Sequence, residues 1–294
     1  MRPAVLGFVG LGNMGGPMAA NLAAAGFTLV CLDAAGTAER MPPGATAAED
    51  LAEVAAGVDT VLLSLPDGRV CLAVATAIAA AMPRRAATVI DLSTVGPAAA
   101  EEAAAALGAV GVTYVDGPVS GGVTGARNGT VSLMYAGAVE TLEAHREVLD
   151  AIAGNVFHAG PTPGQGQALK LLNNYLSATA LAASSEALAF GRAHGLDMQV
   201  MLDAVNASTG RNSATTDKFP NRVLTGTYDA GFHTALMAKD MRLYVDMAKR
   251  AGTSDTVSRV VSELWQEADA AMPGSDFTRI WPFVSGTDLD VPAS

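Results

Sequence analysis

Cysteine is almost missing from this chain. Cys31 and Cys71 are too few for a disulfide framework, and no Cys/His grouping has zinc-site spacing. Cys31 lies in an apolar run and reads as a small buried side chain. Charge is sparse as well, at 16% of 294 residues, and it leans acidic, with a net charge of −11. Such a field disfavours nucleic acid and anionic membranes as partners, so an anionic ligand must be met by local donors. Long apolar runs are also lacking. Ala4–Val9 is too short for a signal peptide, and glycines follow it at once. The longest weakly charged stretch, Ala168–Gly191, carries Lys170, Asn173, Asn174 and Glu186, which a spanning helix would place in hydrocarbon. The expectation is a soluble, cytoplasmic protein.

Half of the residues are apolar, which is ample for a buried core, and the length suits two domains. The first half alternates short β-like runs with Ala-rich helical ones. Ala4–Val9, Phe27–Leu32, Thr60–Leu65, Ala87–Leu92 and Val112–Asp116 read as strands; Val131–Ala136 and Asn155–His158 add two more. Between them, Met14–Ala25, Ala47–Ala56, Val70–Met82 and Ala98–Leu107 read as helices. This interleaving predicts βαβ units and a mostly parallel sheet covered on both faces. The breaker cluster Gly160-Pro161-Thr162-Pro163-Gly164 marks a boundary, giving expected domains of 1–163 and 164–294. After it the pattern is helical: Gln165–His194, Met198–Asn206, Leu236–Ala251 and Thr256–Ala271. In the first of these, Leu169, Leu172, Leu176 and Ala183 are expected to form one apolar stripe. Met237, Met241, Tyr244, Val245 and Ala248 are expected in a core. Gly286 to Ser294 reads as a loose tail.

Gly10-Leu11-Gly12-Asn13-Met14-Gly15 follows a strand and opens a helix. Gly10 suits the tight turn, Gly12 the close approach of backbone to a pyrophosphate, and Gly15 the packing of helix on sheet. The helix N-terminus offers N–H donors to phosphate. The next strand ends at Asp33, at the spacing of a carboxylate that accepts from ribose hydroxyls. A dinucleotide cofactor follows. NAD is expected over NADP, because a 2′-phosphate would meet Asp33 with no Arg before Arg40. Leu65-Pro66 and Ser93-Thr94, at two later strand ends, should line the same crevice.

Asp116-Gly117-Pro118-Val119-Ser120-Gly121-Gly122 can form an anion-binding concavity from consecutive N–H groups and the Ser120 hydroxyl. A serine-hydrolase elbow is excluded, since Pro118 and Gly122 do not frame Ser120 as that motif requires. Gly164-Gln165-Gly166-Gln167-Ala168-Leu169-Lys170 leads into Leu171-Leu172-Asn173-Asn174. Lys170 and Asn174 stand four apart and share a helix face, a costly pair to bury on an otherwise apolar helix. His145, His158, His194 and His233 are scattered and read as structural, and no metal is required.

In this order, the glycine-rich opening, the Ser-Gly-Gly segment and the G-x-G-x-x-x-K-x-x-N-N segment resemble the β-hydroxyacid dehydrogenase family. The likeness runs from Gly7 to about Val284, and Lys239-Asp240 matches the family's late Lys-Asp pair. It implies a Rossmann domain followed by an all-helical domain like that of 6-phosphogluconate dehydrogenase, in a homodimer or homotetramer. It implies hydride transfer between NAD(P) and a small 3-hydroxy acid or its semialdehyde. Lys170 would be the general acid/base and Asn174 would hold the substrate oxygen. Ser120, Gly121 and Gly122 would bind the carboxylate. Gly10, Leu11, Gly12, Asn13, Met14, Gly15, Asp33, Leu65, Pro66, Thr94 and Lys239 would contact the cofactor. Burial and an oxidised nicotinamide would both lower the pKa of Lys170. Gly117, where many members have Ala, leaves the loop chemistry intact. Ser208–Lys218, which should approach the substrate, departs from the family's subgroups. Imine reductases share the architecture but lack this Lys, and non-catalytic NAD-binding relatives replace it; Lys170 argues against both readings.

Overall fold

The computed structural model describes residues 5–286, so the expected tail lies almost wholly outside the described residues. The chain divides into two compact units, Met1–Lys170 and Leu171–Ser294.

Among the described residues the first unit has nine strands: β1 (Val5–Val9), β2 (Thr28–Leu32), β3 (Thr46–Ala47), β4 (Thr60–Leu63), β5 (Thr88–Asp91), β6 (Thr113–Asp116), β7 (Val119–Ser120), β8 (Val131–Ala136) and β9 (Ala153–Gly160). They join in one sheet of order β3-β2-β1-β4-β5-β6-β8-β7, with β9 also on β8. β1 to β6 run parallel, β6 and β7 meet β8 antiparallel, and β9 is parallel to β8. The strand order reverses between β1 and β4, the place where doubly wound sheets bind ligands at the strands' carboxyl ends.

Crossovers α1 (Gly15–Ala24), α2 (Leu51–Gly57), α3 (Gly68–Ala80) and α4 (Pro97–Gly108) cover the faces, followed by the short α5 (Gly122–Asn128), α6 (Val139–Ala144) and α7 (Arg146–Asp150). Leu6, Phe8, Leu62, Ile90 and Val115 pack with Met18 and Leu22 on one side. Val9, Val61, Leu63 and Val89 pack with Cys71, Ala75 and Ile78 on the other. Alternate residues of each strand thus enter different cores, the reason the strands read as unbroken apolar runs. Asp50 and Asp67 start α2 and α3 by accepting from the backbone N–H of Glu53 and Val70. Ala47, expected within a helix, lies instead in β3, a two-residue strand paired with β2.

The second unit holds most of α8 (Gln165–Ala193), then α9 (Met198–Asn206), a π-helix (Ala214–Val223), α10 (Thr234–Ala251), α11 (Thr256–Ala271), a 3-10 turn (Phe277–Arg279) and α12 (Ile280–Ser285). Its core gathers Leu181, Phe219, Met237, Met241, Trp265 and Trp281. Of the expected α10 stripe, Met237, Met241, Val245 and Ala248 are buried, while Tyr244 is half-buried and stacks on Tyr175 at 4.3 Å.

The stripe expected on α8 does not enter the core. Leu172 and Leu176 are 48% and 58% exposed, and Ala183 is exposed as well. The face of α8 that is buried carries Gln167, Lys170, Leu171, Asn174, Ala178, Leu181, Ser185 and Leu188. Leu and Ala occupy several faces of this helix, so apolar spacing did not single out the buried one. Among the described residues no helix is long and apolar enough to cross a membrane.

Candidate active site

Gly10 leaves β1 with φ +93°, a conformation that favours glycine. A Cβ on Gly15 would run into the Gly10 carbonyl oxygen, so α1 starts this close to the turn only because Gly15 has no side chain; a Cβ on Gly10 would strike the Ser64 carbonyl oxygen. At Gly12 a Cβ would meet nothing within 4 Å. That opening beside the N-terminus of a ten-residue helix fits a dinucleotide pyrophosphate. Asn13 is exposed and Met14 half-buried, at the start of α1.

Asp33 stands just past β2. Its Oδ2 accepts the Leu11 N–H at 2.6 Å, which ties the carboxylate to the glycine-rich turn. Its Oδ1 accepts the Ala35 N–H at 2.8 Å. A carboxylate has about four acceptor directions, so capacity remains for ribose hydroxyls. The expectation that no cation accompanies it needs correction. Asp33 N–H donates to Thr37 Oγ1, and the Arg40 N–H to the Thr37 carbonyl. The chain folds back, and Arg40 Nη1 comes within 3.6 Å of Asp33 Oδ1.

Leu65, Pro66 and Thr94 also stand past strand ends, after β4 and β5. The Leu65 N–H donates to Ser93 Oγ at 2.7 Å, joining the two strand ends. Ser120 is not in a turn: it closes β7, opposite Ser132 of β8. The turn is made by Gly121 and Gly122, both at positive φ. A Cβ at Gly117 would touch Leu133 at an ordinary 3.5 Å, which accommodates the family's usual Ala.

Lys170 and Asn174 are 7% and 6% exposed and lie one turn apart on the unbroken α8. In the second unit, Asn174 Nδ2 donates to Asp240 Oδ2 at 2.6 Å, and Lys239 Nζ lies 3.3 Å from Asp240 Oδ1. The departing segment Ser208–Lys218 runs into the π-helix, which contains Pro220 and anchors on buried Phe219 and Val223. All four imidazoles bond to backbone carbonyls, those of Thr141, Gly137, Phe190 and Gly274, as structural histidines do. Among the described residues no three His, Cys, Asp or Glu side chains are grouped to hold a metal ion.

The sequence reading missed a buried polar network at the ends of β5 and β6. Asp91 and Asp116 sit at the same register on neighbouring strands, and neither is exposed to solvent. Asp91 accepts from Cys71 Sγ, the Tyr114 hydroxyl and the Ser93 N–H at 2.8–2.9 Å. Asp116 Oδ2 accepts the N–H groups of Gly164 and Gln167 at 2.9 and 3.0 Å. Its Oδ1 accepts Gln167 Nε2 at 2.7 Å. Burial raises both carboxyls, Asp116 to about 6 against the lowering effect of its Gln167 bonds. Burial also pushes the Cys71 thiol far up and Cys31 to about 11, which makes both inert cysteines. The one available signal was an Asp at a strand end and a Gln inside the Gly-rich helix start, neither distinctive alone. Those same bonds hold residues 164–167 against the sheet, and the first compact unit runs on to Lys170, six residues past the breaker cluster.

Residues 5–160 match the family model described as the NAD binding domain of 6-phosphogluconate dehydrogenase. Residues 164–283 match the one described as NAD-binding of NADP-dependent 3-hydroxyisobutyrate dehydrogenase. The chain is 35% identical to 3-hydroxyisobutyrate dehydrogenase of Pseudomonas aeruginosa, over 96% of this chain and 99% of that one. It is 34% identical to the NAD-dependent L-serine dehydrogenase of the same organism, over 89% and 91%. The solved structure of Mycobacterium tuberculosis 3-hydroxyisobutyrate dehydrogenase with L-serine superposes with a TM-score of 0.87 at 32% identity, covering 96% of this chain and 99% of that one.

Proposed function

This chain belongs to the β-hydroxyacid dehydrogenase family and is an NAD(P)-dependent hydroxyacid oxidoreductase; from that premise we propose that it interconverts a small 3-hydroxy acid, of the 3-hydroxyisobutyrate type, and its semialdehyde, with Lys170 as general acid/base. The observation that carries this reading is a lysine 7% exposed at the position of the family's catalytic motif. Lysine side chains are rarely this buried, and a buried ionisable group at such a position is a candidate for proton transfer. When bound, the nicotinamide supplies a hydride acceptor, and the protein supplies orientation and electrostatics. The neutral Lys170 amine takes the proton of the C3 hydroxyl as that carbon becomes a carbonyl. In the reverse direction the Lys170 ammonium returns the proton to the developing alkoxide. Asn174 orients the substrate oxygen, and Ser120 with the N–H groups of Gly121 and Gly122 holds the carboxylate.

The cofactor reading keeps NAD as preferred, because Asp33 repels a 2′-phosphate. Arg40 makes that preference modest. Gly10, Leu11, Gly12, Asn13, Met14, Gly15, Leu65, Pro66, Thr94 and Lys239 remain the proposed cofactor contacts. The working state is a homodimer or homotetramer. Support comes from the second unit's exposed apolar side chains, among them Leu172, Leu176, Phe190, Val200 and Val260. Light scattering after size exclusion tests this point: a monomer at micromolar concentration refutes it.

The substrate reading is tested by following NADH formation with 3-hydroxyisobutyrate, glycerate, serine, threonate and 4-hydroxybutyrate. L-Serine is itself a 3-hydroxy acid, and two of the relatives above carry its name, so the screen includes it. Turnover of cyclic imines and of none of these acids overturns the proposal.

A further inference from the structure

We infer that Asp116 and Gln167 are positioning residues for Lys170, fixing the first turn of α8 on the strand ends that carry the proposed cofactor and carboxylate contacts. The inference rests on the general acid/base reading of Lys170. Gln167 and Lys170 are three residues apart and share a helix face, so whatever fixes one sets the other. The Gln167 amide makes four bonds. Its Oε1 accepts the N–H groups of Val95 and Gly96 at 2.9 and 3.1 Å. Its Nε2 donates to the Ser93 carbonyl at 2.9 Å and to Asp116 Oδ1 at 2.7 Å. Rotating the amide by half a turn would oppose like groups at all four contacts, so its orientation is locked.

Asp116 reaches the same turn through the backbone, accepting from Gly164 and Gln167. It thereby caps α8 from a strand 48 residues earlier, satisfying donors that a helix start leaves open. Asp116 also begins the segment that runs to Ser120, Gly121 and Gly122. Ser93 is bonded to Leu65 through its hydroxyl and precedes Thr94. One network therefore connects the lysine's turn, the carboxylate segment and two cofactor-side strand ends. Gly166 lets the turn sit this low, because a Cβ there would strike the Met134 carbonyl. For stability alone the arrangement is poor value. Its donors are neutral N–H groups, and desolvation of the Asp116 carboxylate opposes what they contribute.

The test is steady-state kinetics of Asp116→Asn, Gln167→Glu and the double variant, with NADH affinity by fluorescence titration and Tm for each. Asp116→Asn sets two N–H donors against each other at the 116–167 contact, and Gln167→Glu sets two carboxylates against each other. Each single variant should lose roughly 10–10²-fold in kcat, the cost of misplacing a reacting group by about 1 Å, with substrate KM and NADH Kd nearly unchanged. The double variant swaps donor and acceptor at the contact, leaving only the Ser93 carbonyl mismatched, and should regain most of that loss. Singles that lower Tm but keep kcat per folded enzyme would make the network an ordinary cap and overturn the inference. So would a folded double variant no faster than the singles. Should a single variant fail to fold, the double decides. A separate control, Lys170→Ala, isolates the premise: retained kcat there sinks the acid/base reading, whereas lost kcat there with intact singles sinks only the positioning role.

Discussion

Arg40 Nη1 stands 3.6 Å from Asp33 Oδ1, so the carboxylate proposed to read the adenosine ribose has a cation beside it. Arg40 is half-exposed, and its guanidinium is suited to bind a 2′-phosphate beside Asp33. Arg40→Ala should weaken NADP by about tenfold or more, the worth of one charge-assisted bond, and leave NAD within a fewfold. Asp33→Ser should narrow or invert the preference. Titration with NAD and NADP, followed by protein fluorescence, reads both variants. Equal NADP affinity in wild type and Arg40→Ala removes Arg40 from the site.

Ser120→Ala tests the carboxylate contact. Loss of one charge-assisted hydrogen bond corresponds to roughly 1.5–3 kcal/mol, or about 10- to 150-fold in KM for the acid. An aldehyde without a carboxylate should be indifferent to the change. If KM for acids is unmoved, the segment has another task.

Lys170→Ala should lose on the order of 10²–10⁴ in kcat while NADH still binds, the usual yield of general acid–base catalysis. Lys170→Arg should fare nearly as badly, since a guanidinium does not release its proton in this range. The wild-type oxidation rate should rise with pH through a single ionisation, and that limb should vanish in both variants. A surviving limb assigns the acid/base elsewhere.

Asp116 gives a stability prediction with a definite sign. Burial raises its carboxyl from 3.8 to about 6, so between those values the folded state holds a proton that the unfolded state has released. The ionised group therefore costs stability above pH 6, on the order of 2–3 kcal/mol, and the cost is relieved as pH falls toward 4. Urea unfolding of wild type and Asp116→Asn across pH 4.5–7.5 reads the Asp116 carboxyl together with its coupling to Asp91, while titrations elsewhere in the chain cancel. The stability of wild type relative to the variant should rise as pH falls through about 6. A difference independent of pH refutes it.

Local sequence was sufficient for much of the framework. The Gly10–Gly15 turn, the strand ends at Asp33 and Asp116, α9 and α11 were legible because each rests on contacts within a few residues, on turn chemistry or on regular spacing. Lys170 and Asn174 could be placed on one helix face by counting. Tertiary structure alone decided which face of α8 is buried, because Leu and Ala lie on several faces and a 29-residue helix offers no single stripe. It alone brought Arg40 back to Asp33, through a loop whose course depends on Thr37. The two-residue strands β3 and β7 are too short to show any period. The pairing of Asp116 with Gln167 was invisible for the plainest physical reason: they are 51 residues apart, and each looks ordinary until the sheet and the helix start bring carboxylate and amide within 2.7 Å.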